Sequence, residues 1–377
     1  MPIAIEHTLA VLPAPTTGRI VTPQQRAFFR AMPKVELHCH LLGAVREATF
    51  VDLVRRYDAP VSLDTIAALY TRGKKPLGVL HALRTMEQHM LRQPEDFARI
   101  TLEYLEDAAA DTVRHAEFFW NPTATLRDHG LPYGAIQSAM VAAMEQAEQR
   151  WGISSLLIPA IDREADPAEA VSMVEAMIAH RHPRVAGIGI DYRENDRPPE
   201  LFAQAYALAR RHGLRTTAHA GEFGMPWGNV ATALDMLEVD RVDHGYTIVD
   251  NPALAAVHRG RGTLFTIVPT NSHYLRTLEP AVWAQDHPIR RMMAMGLALH
   301  PNSDDPQLHQ ISPAGVWEVM YSHLGADLAD LRRMMLSGIS GSWARAGQKA
   351  TWLATWPGEF DALAQGIEWQ RSGMSAV

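Results

Sequence analysis

The chain has 377 residues, 47% of them apolar and 20% charged, which is enough apolar material for a sizeable core. Its formal charge of −7 gives no electrostatic ground for a nucleic-acid partner. Its single cysteine, Cys39, excludes the intrachain disulfides of a stapled secreted scaffold.

Residues 1–31 read as a proline-containing lead-in with a short helix near Pro23–Met32. Eight short apolar runs follow: VELHCH (35–40), TVRHAEFFW (112–120), ISSLLIPAI (153–161), RVAGIGID (184–191), LRTTAHA (214–220), RVDHG (241–245), TLFTIVP (263–269) and GLALHP (296–301). Several are nearly continuous in apolar residues, the pattern of a parallel strand buried on both faces. Helical spacing of apolar residues fills the gaps at 96–113, 131–152, 168–182, 200–213 and 230–239. Pro132 suits a helix start there and Gly152 a helix end. Eight strands alternating with helices predict an α/β fold, a (β/α)₈ TIM barrel, although an open doubly wound sheet uses the same units.

The stretch 42–111 is too long for one barrel connection and is expected to be a helical insertion partly covering the barrel mouth. The barrel domain is taken as 32–345. Helical patterns recur at 316–324 and 330–339, and residues 346–377 form a C-terminal helical extension whose last seven residues look frayed. No run reaches the roughly 18 apolar residues of a membrane span. The N-terminus lacks the basic start and apolar run of a secretory signal. A cytoplasmic protein without a membrane partner is the expectation, with a homo-oligomer left open.

His38 and His40 alternate along the first strand, so both side chains share one face and Cys39 points to the other. Two imidazoles converging at a strand end are good zinc ligands. His219 ends the fifth strand, with Glu222 three residues on; His244 ends the sixth; Asp304 and Asp305 follow the eighth. All fall at or beyond C-terminal strand ends, where barrel enzymes place catalytic groups. His38, His40, His219 and Asp304 would bind one metal ion and leave a position for water, which zinc activates near neutral pH.

With these motifs in order, the chain resembles the adenosine deaminase family of the amidohydrolase superfamily, a group that includes adenine deaminases. The resemblance rests on MPKVELHCHLLGAV (32–45), LEYLEDAAADTVRHAEFF (102–119), HAGE (219–222), RVDHGY (241–246), PTNSHYL (269–275) and NSDDP (302–306). It implies zinc-dependent hydrolytic deamination of an aminopurine, with one zinc per chain on His38, His40, His219 and Asp304. It implies that Glu222 protonates the purine ring nitrogen beside the reacting carbon, that His244 and Asp304 handle the water's proton, and that Asp305 holds the imidazole part of the base. A group near 191–194 would meet the other ring edge, which makes Asp191 and Glu194 substrate-binding candidates.

The chain departs from many nucleoside deaminases in having Leu41, Leu42 and Gly43 where an Asp-Gly pair follows the second histidine. Leu42 cannot accept a hydrogen bond from ribose. An unpaired buried hydroxyl costs about 1–3 kcal/mol, so adenosine should be a poorer substrate. GIDYRENDRPPE (189–200) and NSDDP lean toward the adenine-deaminase branch. Leu42, Gly43 and Trp120, the last as a stacking platform, complete the substrate-binding expectations. His81, His89, His273 and His300 are further candidates for the pocket wall. The alternatives are deamination of a pterin-like or modified purine ring, another mononuclear hydrolysis, and a metal-binding protein without activity.

Overall fold

The computed structural model describes residue 12 and residues 19–71 and 78–370; the expected frayed end therefore lies outside the described residues. Eight parallel strands run in sequence order: β1 (Lys34–His40), β2 (Val113–Trp120), β3 (Ser154–Asp162), β4 (Gly187–Asp191), β5 (Arg215–Ala220), β6 (Arg241–His244), β7 (Leu264–Ile267) and β8 (Ala298–Pro301). β4 begins three residues later than its apolar run because Val185 makes only an isolated bridge to Leu157. Closure comes just past β8. His40 N donates to Asp304 O (2.7 Å) and Asp304 N to His38 O (3.1 Å), so the segment carrying Asp304 is hydrogen-bonded to β1. The result is a (β/α)₈ barrel, and this closing contact brings the first and last sequence motifs together.

The barrel interior is polar at one level. Glu117 of β2 and Arg241 of β6 meet inside it at 2.5 Å, both fully buried. Arg241 also donates to Leu37 O (3.1 Å), and its guanidinium lies 4.2 Å from the Trp343 ring centre. Pairing with further hydrogen bonds is what makes such burial tolerable. Outside the strands, the helix Pro94–Ala110 buries Phe97, Ile100, Thr101, Tyr104, Leu105 and Ala108, a stripe at spacings of three and four.

The insertion after β1 is helical, with Glu47–Arg56, Leu63–Tyr70 and Val79–His89 preceding Pro94–Ala110. The Val79–His89 helix is fastened over the mouth by Arg84. Its guanidinium takes both oxygens of Asp162 (2.7 and 2.8 Å), reaches Glu87 (3.0 Å) and Glu164 (3.0 Å), and lies 3.7 Å from the Tyr192 ring centre. Pro313–Ser322, Leu328–Gly341 and Ala346–Ala364 complete the C-terminal helices. No helix among the described residues is long and apolar enough to cross a membrane.

Candidate active site

β1, β5, β6 and the segment after β8 turn five side chains to the barrel axis, two of them from β1, and these five meet. His38 Nε2 and His40 Nε2 lie 3.3 and 3.2 Å from Asp304 Oδ1, and His40 Nε2 lies 3.1 Å from His219 Nε2. The His244 ring centre is 4.7 Å from that of His38 and 4.9 Å from that of His219. Donor atoms of His38, His219, His244 and Asp304 fall within 4.8 Å of one another, and all four residues are buried. His244 and Asp304 hold left-handed backbone angles (φ 66° and 64°), a conformation that costs a non-glycine residue about 1–3 kcal/mol and gathers at functional sites.

The outer nitrogens settle the tautomers. Asp243 Oδ1 accepts the Thr266 hydroxyl (2.7 Å), which leaves Thr266 Oγ1 to accept from His38 Nδ1 (3.1 Å). His219 Nδ1 stands 3.3 Å from Asp243 Oδ2, and His40 Nδ1 3.2 Å from Asp191 Oδ2. Asp243 Oδ2 also accepts from Thr217, and Asp191 Oδ1 from Asn121 Nδ2 (2.7 Å). Tyr246 donates to Val268 O (2.9 Å) and accepts from Val268 N, so its oxygen can only accept from His244 Nδ1 (3.1 Å). Each Nδ1 faces an acceptor and, where the ring is neutral, carries the proton, so the four Nε2 atoms face one small space beside a carboxylate. The buried Nε2 atoms of His38 and His244 have no hydrogen-bond partner. Lone pairs pointed at lone pairs in a buried space fit a cation, and nitrogen and oxygen donors of this kind suit zinc.

The electrostatics favour neutral rings at His219 and His244. Burial and the neighbouring His38 hold His219 down at about 4, and burial with His38 and His219 holds His244 well below its usual value. Burial also opposes charge on His40, but Asp191 and Asp304 outweigh it and raise its pKa. Asp304 is kept ionised against burial by His38 and His40. Glu222 moves the other way: burial and the charges of Asp304 and Glu194 raise its carboxyl well above the ordinary range, which favours the protonated form. Asn271 Nδ2 donates to Glu222 Oε1 (3.1 Å), which leaves Oε2, 3.7 Å from His244 Nε2, to carry the proton.

A cavity of about 280 Å³ opens beside this cluster, walled by His40, Asp191, His219, Glu222, Asp304 and Asp305. The Val79–His89 helix closes it with Leu80, His81 and Leu83, and Phe223, Asn271 and His273 complete the far side. Asp305 sits against Gly43 so closely that a Cβ there would come within 1.9 Å of Asp305 Oδ1, which explains the glycine.

Some expected residues lie elsewhere. Trp120 stacks on Tyr133 (5.3 Å, 28°) and meets Phe97 edge-on in the outer layer; its neighbour Phe119 faces inward, 5.0 Å from the His40 ring. Leu42 belongs to the apolar core. Glu194 does not line the cavity: it accepts from Gly221 N (2.9 Å), Glu222 N (3.1 Å) and Asn229 Nδ2 (2.8 Å), fixing the loop that carries Glu222. His300 is spent on Val35 O and Met334 O, and His89 lies off the cavity. Sequence reasoning passed over Asp243, Thr266, Tyr246, Asn121 and Asn271. Asp243 could have been found, because it shares strand parity with His219 on the paired neighbour.

Known proteins resemble this chain over most of its length. A family model described as adenosine deaminase matches residues 33–355. Adenine deaminases from Cupriavidus taiwanensis and Sphingopyxis alaskensis are 34% and 31% identical, over 86% and 88% of this chain and 91% and 96% of their own lengths. A crystal structure of an amidohydrolase from Burkholderia ambifaria, with bound zinc, superposes with a TM-score of 0.93 at 60% identity, covering 94% of this chain and 97% of that one. The adenine deaminase from Arthrobacter aurescens gives 0.79 at 29% identity, covering 88% and 100%. The chain therefore belongs to the adenosine deaminase family.

Proposed function

We propose that the protein is a zinc-dependent hydrolytic deaminase of free adenine, releasing ammonia and the 6-oxo purine. The observation that carries this is the set of Nε2 atoms and the Asp304 carboxylate converging beside the carboxyl group of Glu222. His38, His40, His219 and Asp304 would hold the metal, and His244 would act as base. The division follows from the outer nitrogens. Those of His38, His40 and His219 lead to carboxylates, directly or through Thr266, the support that metal-holding histidines use. That of His244 leads to a neutral phenol.

Zinc bound there supplies Lewis-acid activation of water near neutral pH. His244 Nε2, its tautomer fixed by Tyr246, takes a proton as the water oxygen adds to the carbon bearing the amine. Glu222 delivers its Oε2 proton to the adjacent ring nitrogen, while Asn271 holds Oε1. His244 then returns its proton to the departing amine and the remaining hydroxyl proton passes back to Glu222, so that loss of ammonia completes the change R–NH₂ + H₂O → R=O + NH₃. Asp305 accepts from the imidazole edge of the purine, and Asp191 serves through His40. Three features favour the base over the nucleoside: the small cavity, the lack of a carboxylate at position 42 of the sequence, and the adenine deaminase relatives.

The test is ammonia release from adenine, adenosine, deoxyadenosine and aminopterins, with metal content measured alongside. Adenine should lead by at least tenfold in kcat/KM, and Glu222→Gln should keep one metal while losing most turnover. Adenosine preferred more than a hundredfold would overturn the substrate assignment. A Glu222→Gln enzyme with near-normal kcat would remove Glu222 from the donor role.

A further inference from the structure

A second cavity lies at the opposite end of the barrel, among the residues that start the strands. Its walls come from the beginnings of β2, β3 and β5, the loop before β4, and the start of the Ala346–Ala364 helix. Its volume is about 760 Å³, within the range of about 300–1,000 Å³ typical of sites for whole small molecules. Four guanidinium groups line it: Arg181, Arg184, Arg215 and Arg345. Glu148 is the sole carboxylate in its wall, within a chain of net charge −7.

Existing partners account for only part of this charge. Arg184 is paired with Glu148, Arg215 with Asp240 (2.9 Å), and Arg181 donates to His212 O. Arg345 has no ion pair among the described residues. It is the N-cap of a 19-residue helix, without a side-chain cap bond, so the first amides of that helix also face an anion-favouring position. An independent observation points to a ligand: Ser155 is a cavity residue only 2% exposed, and its Oγ has no hydrogen-bond partner. A buried hydroxyl is seldom left unpaired. Trp343, half-buried in the same wall, adds an aromatic surface.

We propose that this cavity is a binding site for a phosphate monoester, held by Arg181 and Arg345 with Ser155 and the helix N-terminus. Guanidinium forks match phosphate geometry, and such charge-assisted contacts are the stronger class of hydrogen bond. The volume exceeds the needs of a lone phosphate, so the phosphate should arrive on a larger body such as a nucleoside 5′-monophosphate.

Calorimetric titration at fixed ionic strength would compare AMP, inorganic phosphate, adenosine and chloride on wild type, Arg345→Glu and Arg181→Glu. AMP should bind, phosphate more weakly and adenosine not at this site. Phosphate binding as tightly as AMP would place the whole affinity in the phosphate and still support the site. Each variant should weaken AMP about tenfold or more, while thermal stability and turnover of aminopurine without phosphate stay at wild-type values. Equal responses to phosphate and chloride, or AMP binding unchanged in both variants, would overturn the proposal.

Discussion

Replacing Asp243 by Asn tests whether the outer hydrogen bonds set the histidine tautomers. Asp243 Oδ1 accepts from Thr266, and Oδ2 accepts from Thr217 and faces His219 Nδ1. An amide in its place presents N–H at one of these two positions, whichever way it turns. If N–H faces Thr266, the hydroxyl must rotate and His38 Nδ1–H loses its acceptor. If it faces His219, the imidazole must carry its proton on Nε2, where it can no longer act as a ligand. Loss of this kind of support lowers metal affinity by about 10–100-fold. A buried donor left unpaired also costs about 1–3 kcal/mol of stability. Zinc affinity, measured by competition with a chromophoric chelator, and melting temperature read the two effects separately. Thr266→Val should give a smaller affinity loss, because only His38 depends on that hydroxyl. An Asp243→Asn protein that folds and binds zinc with wild-type affinity would refute the tautomer argument.

Gly43→Ala drives a methyl into Asp305, so kcat/KM should fall about tenfold or more with zinc content unchanged, as steady-state rates and metal analysis will show. Tyr246→Phe removes the acceptor of His244 Nδ1–H and should lower kcat about tenfold, with a smaller change in KM. Arg84→Ala frees the Val79–His89 helix from Asp162 and Glu164, so KM should rise while zinc affinity holds; an unchanged KM would show that the helix needs no such fastening. Burial raises Glu36, which accepts from Ser303, to about 8 from an unfolded value of 4.5. The folded protein therefore holds this proton more tightly, and stability falls as pH rises between those values. Glu36→Gln should melt higher than wild type at pH 9 and lose that advantage at pH 5; equal melting temperatures at pH 9 would refute this.

The strands were legible because a parallel barrel buries both faces of each, so every one appears as a short apolar run of its own. The Pro252–Arg261 and Pro288–Ala294 helices were not, since each is brief and only partly apolar around its initiating proline. At the site, the histidines proposed to hold the metal stood out because each lies at or near the end of a strand run. Trp120 was misjudged although the evidence for its direction was in the sequence. Alternation on β2 turns Glu117 and Phe119 inward, and so must turn Trp120 to the helices. Glu194 could not have been read correctly. Its backbone contacts to Gly221 and Glu222 depend on the path of a loop after β5, which no residue spacing encodes.

The arrangement also explains why His244 and Asp304 sit on unfavourable backbone. Residues at strand ends normally leave the barrel as loops, with side chains free to turn to solvent. The left-handed angles at His244 and Asp304 bend the chain immediately at the rim and keep both side chains over the axis. His244 is followed by Gly245, also left-handed, against which Phe265 packs so closely that a Cβ would come within 2.4 Å of its ring. Asp304 is held by the two backbone bonds that join it to β1. The fold thus balances local strain with closure of the barrel itself. The contact that completes the sheet is the one that presents the carboxylate to the histidines, so a change that loosened Asp304 would disturb barrel closure and chemistry together.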